Sequence, residues 1–478
     1  MMRRVFSSAQ LPTHHERLLI VKTAAPDTLR PAAVRARGRA LRAEGPTTVP
    51  ESPGLQALAY FQRSGLLRKV TSLARPAPAG ALRAARRRAA GAPARGPAAS
   101  LAGGVALLEM DRSSDVAELQ SALAHDPAVE FATRVPVRYL LARRPVRRTV
   151  AAAPPAASTM WNLRKIKWAE ARSRPAFREA TDVKVAVLDT GIQRDHPDLG
   201  RQVAGYVHAH PDLPAASGEG DIVGHGTHVA GTIAATIGNR MGVNGICRCR
   251  LLAWKIFTDQ AEFLSWEEGY AYVVDPVMYL RALADCLDEG VDVVNLSIGG
   301  PGEPDAQEQA LFDALQSAGV TVVAAMGNER EWGSPTSYPA AIPGVIAVGA
   351  TSLDDRVAGF SNRGSHIALG APGKAIWSTL PTNPGQFGFE AVRGAGGQPR
   401  EGKPQRRETG YDAWDGTSMA SPHVAAAAAL LLANKGRMTP ARVKQALQRS
   451  ADRVAGMGGR DFHPDYGSGR LNLKSLLA

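Results

Sequence analysis

From residue 182 onward, short apolar runs alternate with amphipathic ones. VKVAVLD (183–189), RLLAWKIF (250–257), VDVVNLSI (291–298), VTVVAAMG (320–327) and GVIAVGAT (344–351) are near-continuous hydrophobic segments. Runs of this kind predict strands buried on both faces of a parallel sheet. Between them, MYLRALADCLDEG (278–290) and QALFDALQSAG (309–319) carry helical spacing. Such alternation predicts a doubly wound, mostly parallel α/β domain with right-handed crossovers. In such sheets, sites gather outside the carboxyl ends of the strands.

The first third of the chain has another rhythm. RLLIVKTA (17–24), LLRKVTSL (66–73), VALLEMD (105–111) and VEFATRV (129–135) predict strands. LQALAYFQRSG (55–65) and DVAELQSALAHD (115–126) carry apolar positions on one helical face. The predicted order, β-α-β-β-α-β, is a smaller ferredoxin-like α+β unit. It is interrupted by an Ala/Arg/Pro/Gly stretch over about 74–103 and followed by a second over 143–159. Both stretches read as disordered linkers, because neither has enough apolar side chains to offset the entropy of ordering. The chain therefore divides into a disordered N-terminus (1–15), the α+β unit (16–145), a linker (146–159) and a main domain (160–478).

Charge sharpens that division. The formal net charge is +13, yet residues 1–158 hold 25 Lys and Arg against 10 Asp and Glu, and the remainder holds 32 against 34. The excess belongs to the N-terminal third, without the aromatic interleaving expected of a nucleic-acid-binding arm. Cys247, Cys249 and Cys286 lack metal-site spacing and read as buried free thiols. No apolar run reaches membrane-spanning length. MMRRVFSSAQLPTHHERLL has no apolar core for a signal peptide, so the start reads as cytoplasmic.

Chemistry-bearing residues fall at the predicted element ends. Asp189 closes the first strand in LDTG, and His225 and His228 lie in GHGTHVAGT. Asn328 follows the strand ending AAMGNE, and Ser418 opens the helix of WDGTSMASPHVAAAAALLLA. Each has a plainer use as a turn residue or helix cap. Together, an acid, an imidazole, an amide and a hydroxyl are the set that nucleophilic acyl transfer needs.

LDTGIQRDHPDL, GHGTHVAGTIA, VVNLSIGGP and GTSMASPHVA resemble, in order, the signature segments of the subtilisin-like serine proteases, the subtilases. The resemblance runs from about Trp161 to Leu477 and implies a serine endopeptidase with no catalytic cofactor, acting on proteins or peptides as a monomer. It implies Asp189 as the residue orienting the imidazole, His225 as general base and acid, and Ser418 as nucleophile. Asn328 would be an oxyanion donor beside the Ser418 N–H. His228 and His423 resemble structural positions, and Tyr338-Pro339 a position often holding a cis proline.

The same resemblance implies a substrate strand at Ser297, Ile298 and Gly299 and a side-chain pocket at Ala325, Met326 and Gly327. Met326 stands where a small residue is usual and is expected to narrow that pocket. Asp198 and Asn239 resemble ligands of a structural calcium. The α+β unit resembles an inhibitory propeptide, to be cut between about Leu140 and Met160, and the resemblance implies secretion. Glu303, Asp305, Glu329 and Glu331 are expected to favour basic substrate side chains. The long polar stretch 381–411 reads as a flexible flap, with its FGF segment as an anchor.

Three alternatives separate on the same residues. An inactive peptide-binding relative would typically have lost part of the set. A sedolisin-like acid peptidase would replace His225 with Glu and Asn328 with Asp. A nucleic-acid-binding protein would need its basic arm structured.

Overall fold

The computed structural model describes residues 11–24, 53–74, 101, 103–140, 160–207, 220–265 and 268–478. Most of the two predicted linkers, and the region expected to be cut, lie outside these residues.

The N-terminal unit is built from β1 (His14–Thr23), α1 (Pro53–Arg63), β2 (Leu67–Ser72), β3 (Val105–Met110), α2 (Ser113–Ala124) and β4 (Val129–Pro136). Its antiparallel sheet has the order β2-β3-β1-β4. Strand alternation gives that sheet two apolar faces. Leu19, Val21, Leu108 and Met110 pack under the unit's own helices, with Leu119 and Leu123. Ile20, Val105, Leu107 and Val135 face the main domain. A two-residue strand, β5 (Tyr139–Leu140), continues the chain.

In the main domain, β6 (Lys184–Asp189), β7 (Val203–Val207), β8 (Arg250–Lys255), β11 (Val293–Leu296), β13 (Thr321–Ala325), β14 (Ile346–Thr351) and β15 (Ile367–Pro372) form a parallel sheet. Its order is β15-β14-β13-β11-β6-β8-β7. Three further short strands precede β13: β9 (Glu262–Leu264), β10 (Gly269–Ala271) and β12 (Ile298–Gly299). Val185 and Val187 face one helical layer while Ala186 and Leu188 face the other, which is why these runs show no polar alternation.

One layer holds α3 (His225–Ala234) and α6 (Thr417–Lys435); the other holds α4 (Pro276–Asp288) and α5 (Ala306–Ser317). Helix α6 is buried from Thr417 to Leu432, as an all-apolar helix body requires. α7 (Pro440–Ser450) follows it. Asp275 and Asp305 cap α4 and α5 by accepting from backbone N–H groups of their first turns.

The stretch 381–411 departs from the predicted flap. It folds as a hairpin of β17 (Gln386–Arg393) and β18 (Pro399–Arg406), which joins β10 and β9 in a four-stranded sheet. Two more strands flank it, β16 (Ile376–Thr379) and β19 (Tyr411–Trp414), paired antiparallel. Phe387 anchors the hairpin with its ring 5.1 Å from that of Trp414. The glycine-rich composition hid a strand whose pairing partners lie more than a hundred residues away.

Candidate active site

Asp189 ends β6, where the backbone leaves the sheet, and His225 begins α3. Asp189 Oδ1 lies 2.7 Å from His225 Nδ1, and both side chains are buried. A carboxylate can only accept, so Nδ1 carries the proton and Nε2 presents its lone pair. His225 Nε2 has no hydrogen-bond partner among the described residues. The Thr190 N–H donates to the same Asp189 oxygen at 2.7 Å. Gly226 allows α3 to approach this turn: a Cβ there would sit 2.0 Å from the Gly191 carbonyl.

Ser418 is the second residue of α6, fixed by the buried body behind it. Its Oγ donates to the Ser297 carbonyl at 2.9 Å, so the hydroxyl is not turned toward His225. Thr417 N and Thr417 Oγ1 each lie 2.9 Å from Asn328 Oδ1. A backbone N–H must donate, so the Asn328 oxygen faces Thr417 and its NH2 faces away. The Ser297 hydroxyl meets the Ser418 carbonyl at 3.1 Å and Ser421 Oγ at 3.0 Å, tying the substrate-strand candidate to α6.

His228 and His423 lie apart from this constellation. His228 Nε2 meets the Ile376 carbonyl at 2.9 Å, and its ring stacks on Trp414 at 5.0 Å. His423 bridges Asn162 and the Met419 carbonyl. Burial pushes their pKa values down to about 3 and about 4.

Ile298 and Gly299, the other strand candidates, form β12 and pair antiparallel with β5: Ile298 opposes Leu140, and Gly299 opposes Tyr139. Ala325 and Gly327 frame the turn into Asn328; Gly327 (φ 106°) has no room for a Cβ beside Asn362. Met326 is buried within the apolar core shared with Ala324 and Ile367. The core takes its side chain, so the expected narrowing of the pocket does not follow. Burial pushes the Glu329 carboxyl up, opposed by hydrogen bonds from Asn362 and Tyr139. Tyr338-Pro339 is cis.

Asp198 and Asn239 are brought together, but as donor and acceptor. Asn239 Nδ2 donates to Asp198 Oδ1 at 2.6 Å and the Val243 N–H to Oδ2 at 3.1 Å. Met241 N holds the Asn239 oxygen, which fixes the amide in that orientation. Calcium takes six to eight oxygen ligands. Here one carboxylate has its oxygens met by N–H groups, so the arrangement does not fit that ion.

Two residues escaped the sequence reading. Asp221 is buried four positions before His225; its oxygens accept from Thr190 Oγ1, Gly224 N, Thr227 N and Thr227 Oγ1 at 2.7–2.8 Å. It thereby fixes the first turn of α3 against the turn carrying Asp189. Its signal is the spacing DxxxH, an acid one turn before an imidazole. The buried Arg407 guanidinium donates to the carbonyls of Asp221, Ile222, Pro381 and Glu408. It pins the root of the hairpin to the loop that delivers His225.

On the doubly wound sheet the buried Asp–His pair and the helix-borne serine follow the chain order Asp, His, Ser, which differs from the Ser, Asp, His order of the α/β-hydrolases. The model of the subtilase family matches residues 180–469, and the chain belongs to that family. It is 36% identical over 299 residues to a subtilisin of Bacillus pumilus, covering 62% of this chain and 90% of that one. Subtilisin E of Bacillus subtilis (strain 168) is equally similar, but the match spans only 65% of its length. The crystal structure of fervidolysin from Fervidobacterium pennivorans, described as a keratinolytic enzyme related to subtilisin, aligns with a TM-score of 0.62 at 22% identity. That alignment covers 97% of this chain and 61% of that one, and indicates a shared fold.

Proposed function

We propose that the chain is a serine endopeptidase acting through an acyl-enzyme intermediate. The observation that carries this reading is the buried 2.7 Å contact between Asp189 and His225 Nδ1. It leaves Nε2 as the base, and Ser418 lies at the head of the buried helix α6, which packs against α3. In turnover the Ser418 hydroxyl leaves the Ser297 carbonyl, gives its proton to His225 Nε2 and attacks the substrate carbonyl. The developing oxyanion is met by the Asn328 NH2 and the Ser418 N–H, aided by the α6 N-terminus. Asp189 stabilises the imidazolium, which then protonates the leaving amine. No calcium-dependent step enters this reading.

The same reading makes residues 16–145 a propeptide that packs on the protease and is removed by it. Its support is β5, which lies on β12 as a product-like strand. Mass spectrometry of the Ser418→Ala chain is the test. An uncut chain without peptidase activity is expected; processing like that of the wild-type protein would rule out self-cleavage.

A further inference from the structure

One buried ion pair lies outside the catalytic constellation. The Arg138 and Glu308 side chains are only 2% and 1% exposed, yet they join the segment beside β5 to α5 of the main domain. Arg138 Nε reaches Glu308 Oε1 at 3.1 Å and Nη2 reaches Oε2 at 2.6 Å. Nη1 donates to the Gly302 carbonyl at 2.8 Å, and the Tyr279 hydroxyl donates to Glu308 Oε1 at 2.8 Å. Such a planar fork is met by arginine and by no other side chain. Val274, Pro276, Tyr279, Leu280, Asp305 and Glu308 line the pocket on the main-domain side, so that wall does not depend on the N-terminal segment.

The backbone gives the position its meaning. The Val274 N–H approaches the Arg138 carbonyl at 3.4 Å, while the next two residues pair with Gly299 and Ile298. A chain continuing this register sets its next residue opposite Ser297, whose carbonyl holds the Ser418 hydroxyl. We propose that this pocket is a specificity subsite for a substrate arginine, the fourth residue before the scissile bond. The proposal rests on the endopeptidase reading and deepens it. Without a cation, Glu308 is a buried carboxylate lacking its counter-charge, an arrangement that disfavours neutral occupants. Of the acids expected from sequence to attract basic side chains, Asp305 lines this pocket. Glu303 and Glu331 are exposed, and Glu329 is bonded to Asn362. Glu308 was hidden in the spelling DAQE, which reads as a helix start.

Quenched-fluorescence peptides built on residues 137–144, VRYLLARR, with Arg, Lys, citrulline or Leu at the second position, test the subsite in the purified full-length chain. Product masses locate the bond cut. Arginine is expected to exceed leucine and citrulline by about a hundredfold in kcat/KM, with lysine between, and Glu308→Gln should collapse that ratio. Equal rates across the four peptides, or an unchanged ratio in the variant, would overturn the proposal. A second measurement is independent of turnover. In the Ser418→Ala chain, Arg138→Leu should lower Tm, and adding Glu308→Leu should restore it. No drop would also overturn the pairing. Hydrolysis of no peptide alongside that drop and recovery would instead sink the endopeptidase reading and leave the arginine pocket standing.

Discussion

Asn328 illustrates how a single side chain is aimed. Two donors from Thr417 hold its oxygen, so the amide cannot flip without losing both. On the proposed mechanism Asn328→Ala lowers kcat by about 10²–10³ with little change in KM, the range established for loss of one oxyanion donor in this family. Steady-state kinetics on a small ester or peptide would check it; a purely KM effect would contradict the assignment. The buried histidines make a prediction about pH. His228 and His423 have folded pKa values of about 3 and about 4, below the ordinary 6.5, so the unfolded chain binds more protons across that interval. Their contribution is fully present above pH 6.5 and is lost as pH falls toward 4, at about 1.4 kcal/mol per unit for each fully titrating group. Asp305, pushed up to about 7 by burial and by Glu308, acts in the opposite sense. Urea midpoints measured from pH 7 to 4 should therefore fall less steeply in His423→Gln than in the wild-type chain.

At the scale of elements, the hairpin and α3 act as one unit through Arg407. Its four carbonyl contacts come from the hairpin's flanks and from the loop before His225. Arg407→Ala strands those buried acceptors, at a cost of about 2–4 kcal/mol, and loosens the loop. It should lower kcat more than it changes KM and lower Tm, with Arg407→Lys intermediate; an unchanged kcat would show that the hairpin is passive. This element was also the least legible in the sequence. Strands β6, β11 and β13 announce themselves as valine-rich runs because both faces are apolar. β18 is mostly exposed and polar and β17 is half-buried and glycine-interrupted, and only their partners make them strands. The same contrast holds for side chains. Asp189, His225, Asn328 and Ser418 sit in distinctive local spellings, whereas Glu308 has its role through Arg138, 170 residues away. The proximity of Asp198 and Asn239 was readable; which atoms they offer each other was not.

At the scale of the molecule, the described part of the N-terminal unit packs on the main domain. Arg281 of α4 donates to the Ser72 and Leu73 carbonyls, and Arg138 enters the pocket beside α5. Among the described residues no helix is long and apolar enough to cross a membrane. One arginine of the basic N-terminal third thus has its acidic partner within the chain itself. The most direct test of the central claim is labelling by a fluorophosphonate probe, with the modified peptide identified by mass spectrometry. Labelling of Ser418, rising once residues before Met160 are removed and abolished in His225→Ala, is the predicted result. Labelling of another residue, or of Ser418 undiminished by His225→Ala, would contradict it.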